Sequence, residues 1–139
     1  MATAMQVLAP VFPSVAAAAA ALIGLLWAVL TVQVIRNRVR FNCQAGDSGH
    51  PELAQAIRAH ANLAEHAPLA LLLLALAEGS GAQRGIVLGL AGVLVLARVA
   101  NAWGLSRSLG PNSARQAGAG LTILVTVLAS LLVGYRLLA

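Results

Sequence analysis

Arg58, Asn62 and Glu65 stand at i, i+4 and i+7, so on a helix they share one face, with His66 beside them. At about 1.5 Å per residue this stripe extends about 10 Å along the axis. Seven residues separate Arg58 from Glu65, too far for a direct contact along one helix, so each needs a partner elsewhere. Further along, Arg98 and Asn101 lie three apart on one face, and Arg115 opens the last apolar segment, where the helix dipole favours an anion. Around the stripe Arg38, Arg58, Arg98, Arg107 and Arg115 face a single acid, Glu65, an excess of cation that suits a small anionic guest. From spacing alone two readings stay open: a site for such a guest, or a purely structural polar network.

Other chemistries are poorly served. His60 and His66 are six apart, a poor metal pair on a helix, and only His50 and the lone Cys43 could add to them, so no metal site is expected. No nucleophile with an adjacent base, phosphate-binding glycine loop or nucleotide fingerprint occurs.

The elements that must carry these residues are set by composition. Of 139 residues, 60% are hydrophobic and only 9% charged, with a mean hydropathy of +0.85. Soluble domains carry about 25% charged residues. One cysteine excludes a disulfide-stapled miniprotein, and the apolar content excludes disorder. The solvent of this chain is mostly lipid. All nine basic residues are arginine, and they sit beside apolar runs, which suits membrane topology and an anionic ligand; nucleic acid is not an expected partner.

A membrane helix needs about 20 apolar residues. Four segments qualify, at about 12–36, 51–77, 83–105 and 113–138, in a single domain over 1–139. Arg36, Arg38 and Arg40 follow the first run, which marks it as an anchor and not a cleaved leader. The Cys43–Pro51 stretch, Glu78–Gly81 and Ser106–Asn112 read as connections. The first and third connections hold Arg36, Arg38, Arg40, Arg107 and Arg115, against Arg84 and Arg136 at the other end. That asymmetry predicts the first and third loops in the cytoplasm and both termini outside. Pro68 removes a backbone donor within the second helix and crowds the carbonyl of Ala64. Small residues at Ala16–Ala21 and at Gly85, Gly89 and Gly92 could allow close helix approach in lipid. A charge near the bilayer centre costs roughly 2.5–3.5 kcal/mol even on the lenient insertion scale, so the polar stripe must face protein, water or a ligand.

The pattern R-x-x-x-N-x-x-E-x-x-P at Arg58, Asn62, Glu65 and Pro68 resembles the MAPEG family, the membrane-associated proteins in eicosanoid and glutathione metabolism. The run from Val34 through Gly79 looks most like the bacterial inner-membrane branch. Arg98-Val-Ala-Asn101 and Ser113-Ala-Arg115 fall where that family has its third-helix and fourth-helix arginines. The resemblance implies an all-α, four-helix subunit assembling as a homotrimer in a bacterial inner membrane. It implies glutathione between subunits in the cytoplasmic half of the membrane, and a hydrophobic small molecule or lipid as co-substrate. Arg38, Arg58, Asn62 and Glu65 would form the binding set, with His60, His66, Arg98, Asn101 and Arg107 around them, and Arg115 would be the catalytic arginine that stabilises the thiolate. Two positions depart from the family: its third-helix tyrosines are Asn101 and Leu105 here, and Gln116 follows the fourth-helix arginine. The implied activity is transfer of glutathione to hydrophobic electrophiles, or peroxide reduction, in detoxification. The alternatives are a non-catalytic glutathione- or lipid-binding membrane protein and, third, a small transporter or proton relay.

Overall fold

The computed structural model describes residues 12–138. Four helices follow one another: α1 (Ser14–Arg40), α2 (Pro51–Gly79), α3 (Arg84–Arg107) and α4 (Ser113–Leu138). Each is long and apolar enough to cross a bilayer. The helices alternate in direction, so the α1–α2 and α3–α4 loops share one end, which also carries most of the arginine. Around the bundle α1 meets α2 and α3, and α4 meets α2 and α3; α2 and α3 touch across the middle, whereas α1 and α4 do not meet.

α1 continues through Arg40, beyond the apolar run expected to end near residue 36. The apolar run marks the membrane boundary, while the helix goes on because Arg38 and Arg40 in its last turn favour the negative end of the helix dipole. Residues 1–11 and 139 of the expected domain lie outside the described residues.

The core is built from small residues and leucines at coiled-coil-like spacing. Along α2 the buried hydrophobic set is Leu53, Ala56, Ala59, Leu63, Ala67, Ala70, Leu74 and Ala77, steps of three and four that keep one stripe inward. The outer faces stay apolar, with Leu25 and Val29 on α1, Leu72 on α2, Leu96 on α3 and Leu131 on α4 exposed, as a lipid-facing surface requires. Trp103 stands near one end and Tyr135 near the other, the depths at which amphipathic rings favour the interface.

Close approach occurs between α3 and α4. A Cβ on Gly118 would lie 2.5 Å from the Ala97 carbonyl oxygen and 2.7 Å from the Asn101 nitrogen. A Cβ on Gly104 would lie 2.8 Å from the Arg115 nitrogen. Within the subunit no other helix approaches Gly85, Gly89 or Gly92: a Cβ on any of them meets nothing within 4 Å. They lie on the outside of α3, and periodicity alone could not say which small-residue face meets a neighbour.

The helix ends are tied by side chains from other helices. Pro13 at the start of α1 offers no side-chain cap. Instead the buried Glu78, in the last turn of α2, accepts from the N–H groups of Val15 at 3.0 Å and Ala16 at 2.9 Å and from the Ser14 hydroxyl at 3.3 Å. At the same end the Arg136 Nε and Nη2 donate to the Ser80 carbonyl at 3.1 and 2.9 Å. Helix α2 thus runs through Glu78, which the sequence placed in a turn.

Candidate functional site

The candidate residues divide into those used inside the subunit and those left facing out. Arg98, 1% exposed, belongs to the first group. From α3 its Nη1 donates to the Asn62 Oδ1 of α2 at 3.1 Å, and its Nη2 donates to the Gly118 carbonyl of α4 at 3.2 Å. One guanidinium therefore clasps three helices, and it fits because Gly118 has no side chain to hold α4 away. Asn101, also buried, donates its Nδ2 to the Arg115 carbonyl at 3.0 Å. The glycine at 118 and the amides at 62 and 101 are mutually dependent parts of one polar seam.

The clasp fixes the orientation of Asn62. A guanidinium has donors only, so the oxygen of the carboxamide must face Arg98, and the Nδ2 donors are left for another partner. Asn62 is half-buried, at the edge of the bundle.

The second group is the rest of the stripe. Arg58, Glu65 and His66 are exposed, and among the described residues none of them makes a hydrogen bond or ion pair. The ion pair found there joins Arg40 to Glu52, 2.7 Å apart and at the surface. Arg58 lies about two turns into α2, and its long side chain can extend back toward the helix start and water. Glu65 stands at the midpoint of the 29-residue α2 and cannot. Beside it, Glu65 and His66 line a recess of about 160 Å³ with Thr122 and Thr126 of α4. Those two threonines donate their hydroxyls to the carbonyls four residues earlier, which leaves the oxygen lone pairs as acceptors.

Nearer the arginine-rich end, Arg38 is occupied: its Nη1 donates to the carbonyls of Cys43, Gln44 and Gly46 at 3.3, 3.0 and 3.3 Å, strapping the α1–α2 loop. Arg36, two residues earlier on α1, makes no hydrogen bond or ion pair among the described residues and opens onto a polar cavity of about 530 Å³ with Gln33, Asn37 and Gln55. Sequence reasoning missed this cavity. Its signal was the polar set Gln33, Arg36 and Asn37 at i, i+3 and i+4 on the last turns of α1. Arg115 is half-buried; its Nη1 donates to the Leu109 carbonyl at 2.7 Å, and its backbone N–H is capped by the Asn112 Oδ1 at 2.8 Å. Arg115 and Gln116 border an open cavity of about 360 Å³. Arg107 lies over the Trp103 ring at 4.2 Å, turned to the lipid-facing side of α3. His60 packs against Trp27, ring centroids 5.4 Å apart, and its buried Nε2 has no partner. No group of three metal-ligating side chains occurs among the described residues.

A four-helix membrane subunit carrying the Arg58–Asn62–Glu65 stripe on α2 matches a family model described as the MAPEG family over residues 15–135. The chain belongs to the MAPEG family. It is also similar to the inner membrane protein YecN of Escherichia coli strain K12 and to the YecN of E. coli O6:H1 strain CFT073. Each is 36% identical over 83 residues, 60% of this chain and 63% of the relative. The chain thus spans less than two thirds of the length of these relatives. As a MAPEG protein it is an integral membrane protein, and its polar seam lies within the matched residues. In this MAPEG chain Asn101 and Leu105, where the sequence departs from the family's tyrosines, are 3% and 2% exposed and sit inside the bundle.

Proposed function

We propose that this MAPEG protein binds glutathione along the outer face of α2, where a second copy of the chain covers it, in a homotrimer of the bacterial inner membrane. The observation that carries this reading is Glu65: an exposed carboxylate at the midpoint of a membrane helix, with no partner among the described residues of its own subunit. Leaving such a group in hydrocarbon costs several kcal/mol, so something polar must cover it. A glutathione ammonium would neutralise it, and the tripeptide's two carboxylates would answer Arg58 and Arg36, each a fork suited to bidentate contact. Asn62, its oxygen held by Arg98, would offer only N–H donors, and so would meet a carbonyl or carboxylate.

Arg115 supplies the chemistry. A free thiol near pKa 8.5 is mostly protonated at neutral pH, whereas the thiolate is the nucleophile. A guanidinium in the first turn of α4 adds its charge to the positive end of that helix and favours the anion. The thiolate would then attack a hydrophobic electrophile dissolved in the bilayer. The arginine asymmetry supports a cytoplasmic orientation for this end of the bundle, and for the site with it.

A second reading, binding without turnover, is favoured by one observation. The α3 positions at 101 and 105 face inward and carry no hydroxyl, so no α3 phenol is available to assist the thiolate. Calorimetry with glutathione on the protein in detergent, alongside a conjugation assay with a generic aryl halide, separates the two. Binding with conjugation supports the transferase; binding alone supports the second reading; no binding overturns both. Glu65→Gln should weaken glutathione binding at least tenfold and leave the oligomer intact, in line with about 2–5 kcal/mol for truncating a buried charged contact. Unchanged affinity would make Glu65 structural.

A further inference from the structure

At the end of the bundle opposite the polar site, α1 and α3 line an apolar groove of about 470 Å³. Its walls are Ala18, Ala19 and Leu22 from α1 and Leu88, Gly92 and Leu96 from α3. At its head stand Ser14 and Arg84, the first residues of the two helices. We propose that this groove holds one acyl chain of an anionic phospholipid, with the phosphate on Arg84. The inference is independent of the glutathione reading, since it concerns a different face of the subunit.

Length, width and charge each favour this occupant. From Arg84 to Leu96 is twelve residues, about 18 Å of helix, close to the ~15 Å depth of one leaflet's hydrocarbon. Spread over that length, about 470 Å³ leaves a mean cross-section of about 26 Å². A helix even 10 Å across presents about 80 Å² and would enter the groove only by its side chains, whereas a hydrocarbon chain can lie along its whole length. An extended hydrocarbon chain is the occupant that fits within. Gly92 adds to the smooth wall, since a Cβ there would meet nothing within 4 Å.

The head of the groove is cationic. Arg84 is exposed and makes no hydrogen bond or ion pair among the described residues. The start of α3 carries no acidic residue in its first turn and no side-chain cap, so its dipole adds to the guanidinium. The nearby Glu78 carboxylate is taken up by the N–H groups that open α1 and makes no ion pair with Arg84, although the two charges attract at longer range. A phosphate diester is the anion available at this depth in a bilayer, attached to the chain that the groove accepts.

Native mass spectrometry of the full-length protein, released from nanodiscs of equimolar phosphatidylglycerol and phosphatidylcholine, tests the proposal. Wild type should retain one phosphatidylglycerol per chain, with at least fivefold preference over phosphatidylcholine. Arg84→Gln should keep a lipid but lose the preference. Gly92→Leu and, separately, Ala18→Leu fill the groove and should lower retained lipid at least fivefold, with melting temperature and oligomeric state as in wild type. Both variants place their new side chain in open or exposed space, so a failure to fold in both would itself contradict the described groove. Equal retention in the filled variants, or no headgroup preference in wild type, would overturn the proposal. So would efficient disulfide formation between Gly92→Cys copies in a Cys43→Ser background, which would give the face to a second subunit.

Discussion

Glu78→Gln is expected to loosen the junction between α1 and α2 by about 2–3 kcal/mol. The carboxylate now takes the Val15 N–H on both oxygens at 3.0 Å, the Ala16 N–H at 2.9 Å and the Ser14 hydroxyl at 3.3 Å. Hydrogen bonds to a charged acceptor contribute roughly 1.5–3 kcal/mol each, and the charge at a helix N-terminus adds about 0.3–1 kcal/mol. Glutamine keeps one acceptor oxygen but turns an NH₂ toward the second backbone donor, so about one such bond is lost and the rest lose their charge assistance. Relief from burying an anion, at a residue only 7% exposed, offsets part of this. Equilibrium unfolding in mixed micelles, followed by far-ultraviolet circular dichroism, would measure the difference. Glu52→Gln, which breaks the exposed pair with Arg40, is the internal control and should change stability by less than about 1 kcal/mol. If Glu78→Gln proves no more damaging than Glu52→Gln, the carboxylate is not the cap that holds α1.

Three further outcomes are expected. Gly118→Ala should destabilise by about 1–3 kcal/mol in the same assay, because its Cβ would meet backbone atoms of α3, while Gly89→Ala should be neutral or slightly stabilising; equal effects would contradict the α3–α4 contact. A double-mutant cycle with Asn62→Ala and Arg98→Leu should give a coupling of about 1–3 kcal/mol, and additivity would dissolve the clasp. For topology, Cys43 is 4% exposed and a poor reporter, so Gln44→Cys in a Cys43→Ser background should react with a permeant maleimide and not with an impermeant one added to intact cells. Reaction with the impermeant reagent would reverse the orientation.

The four spans, the connections and the α2 stripe were legible in the chain because lipid imposes simple rules. Apolar length fixes each crossing, and a charge within a crossing stands out against it. The pattern at Arg58, Asn62, Glu65 and Pro68 likewise carried the family. What periodicity could not decide was the azimuth and depth of each polar group. Arg58 and Arg98 have the same chemistry within two apolar segments, yet one is exposed on α2 and the other is sealed at the junction of three helices. Similarly, Arg36 and Arg38 differ by two residues, and only the fold turns one into a loop strap and the other toward a cavity. The glycines divide the same way: 104 and 118 admit a neighbouring backbone, whereas 85, 89 and 92 face outward. Glu78 lies in the last turn of its helix, and nothing local marks it as the cap of a helix that begins 64 residues earlier. Sequence determines which residues lipid will reject; tertiary packing decides whether each finds its partner inside the subunit or must wait for one from outside, because the donors and acceptors that satisfy it come from other helices.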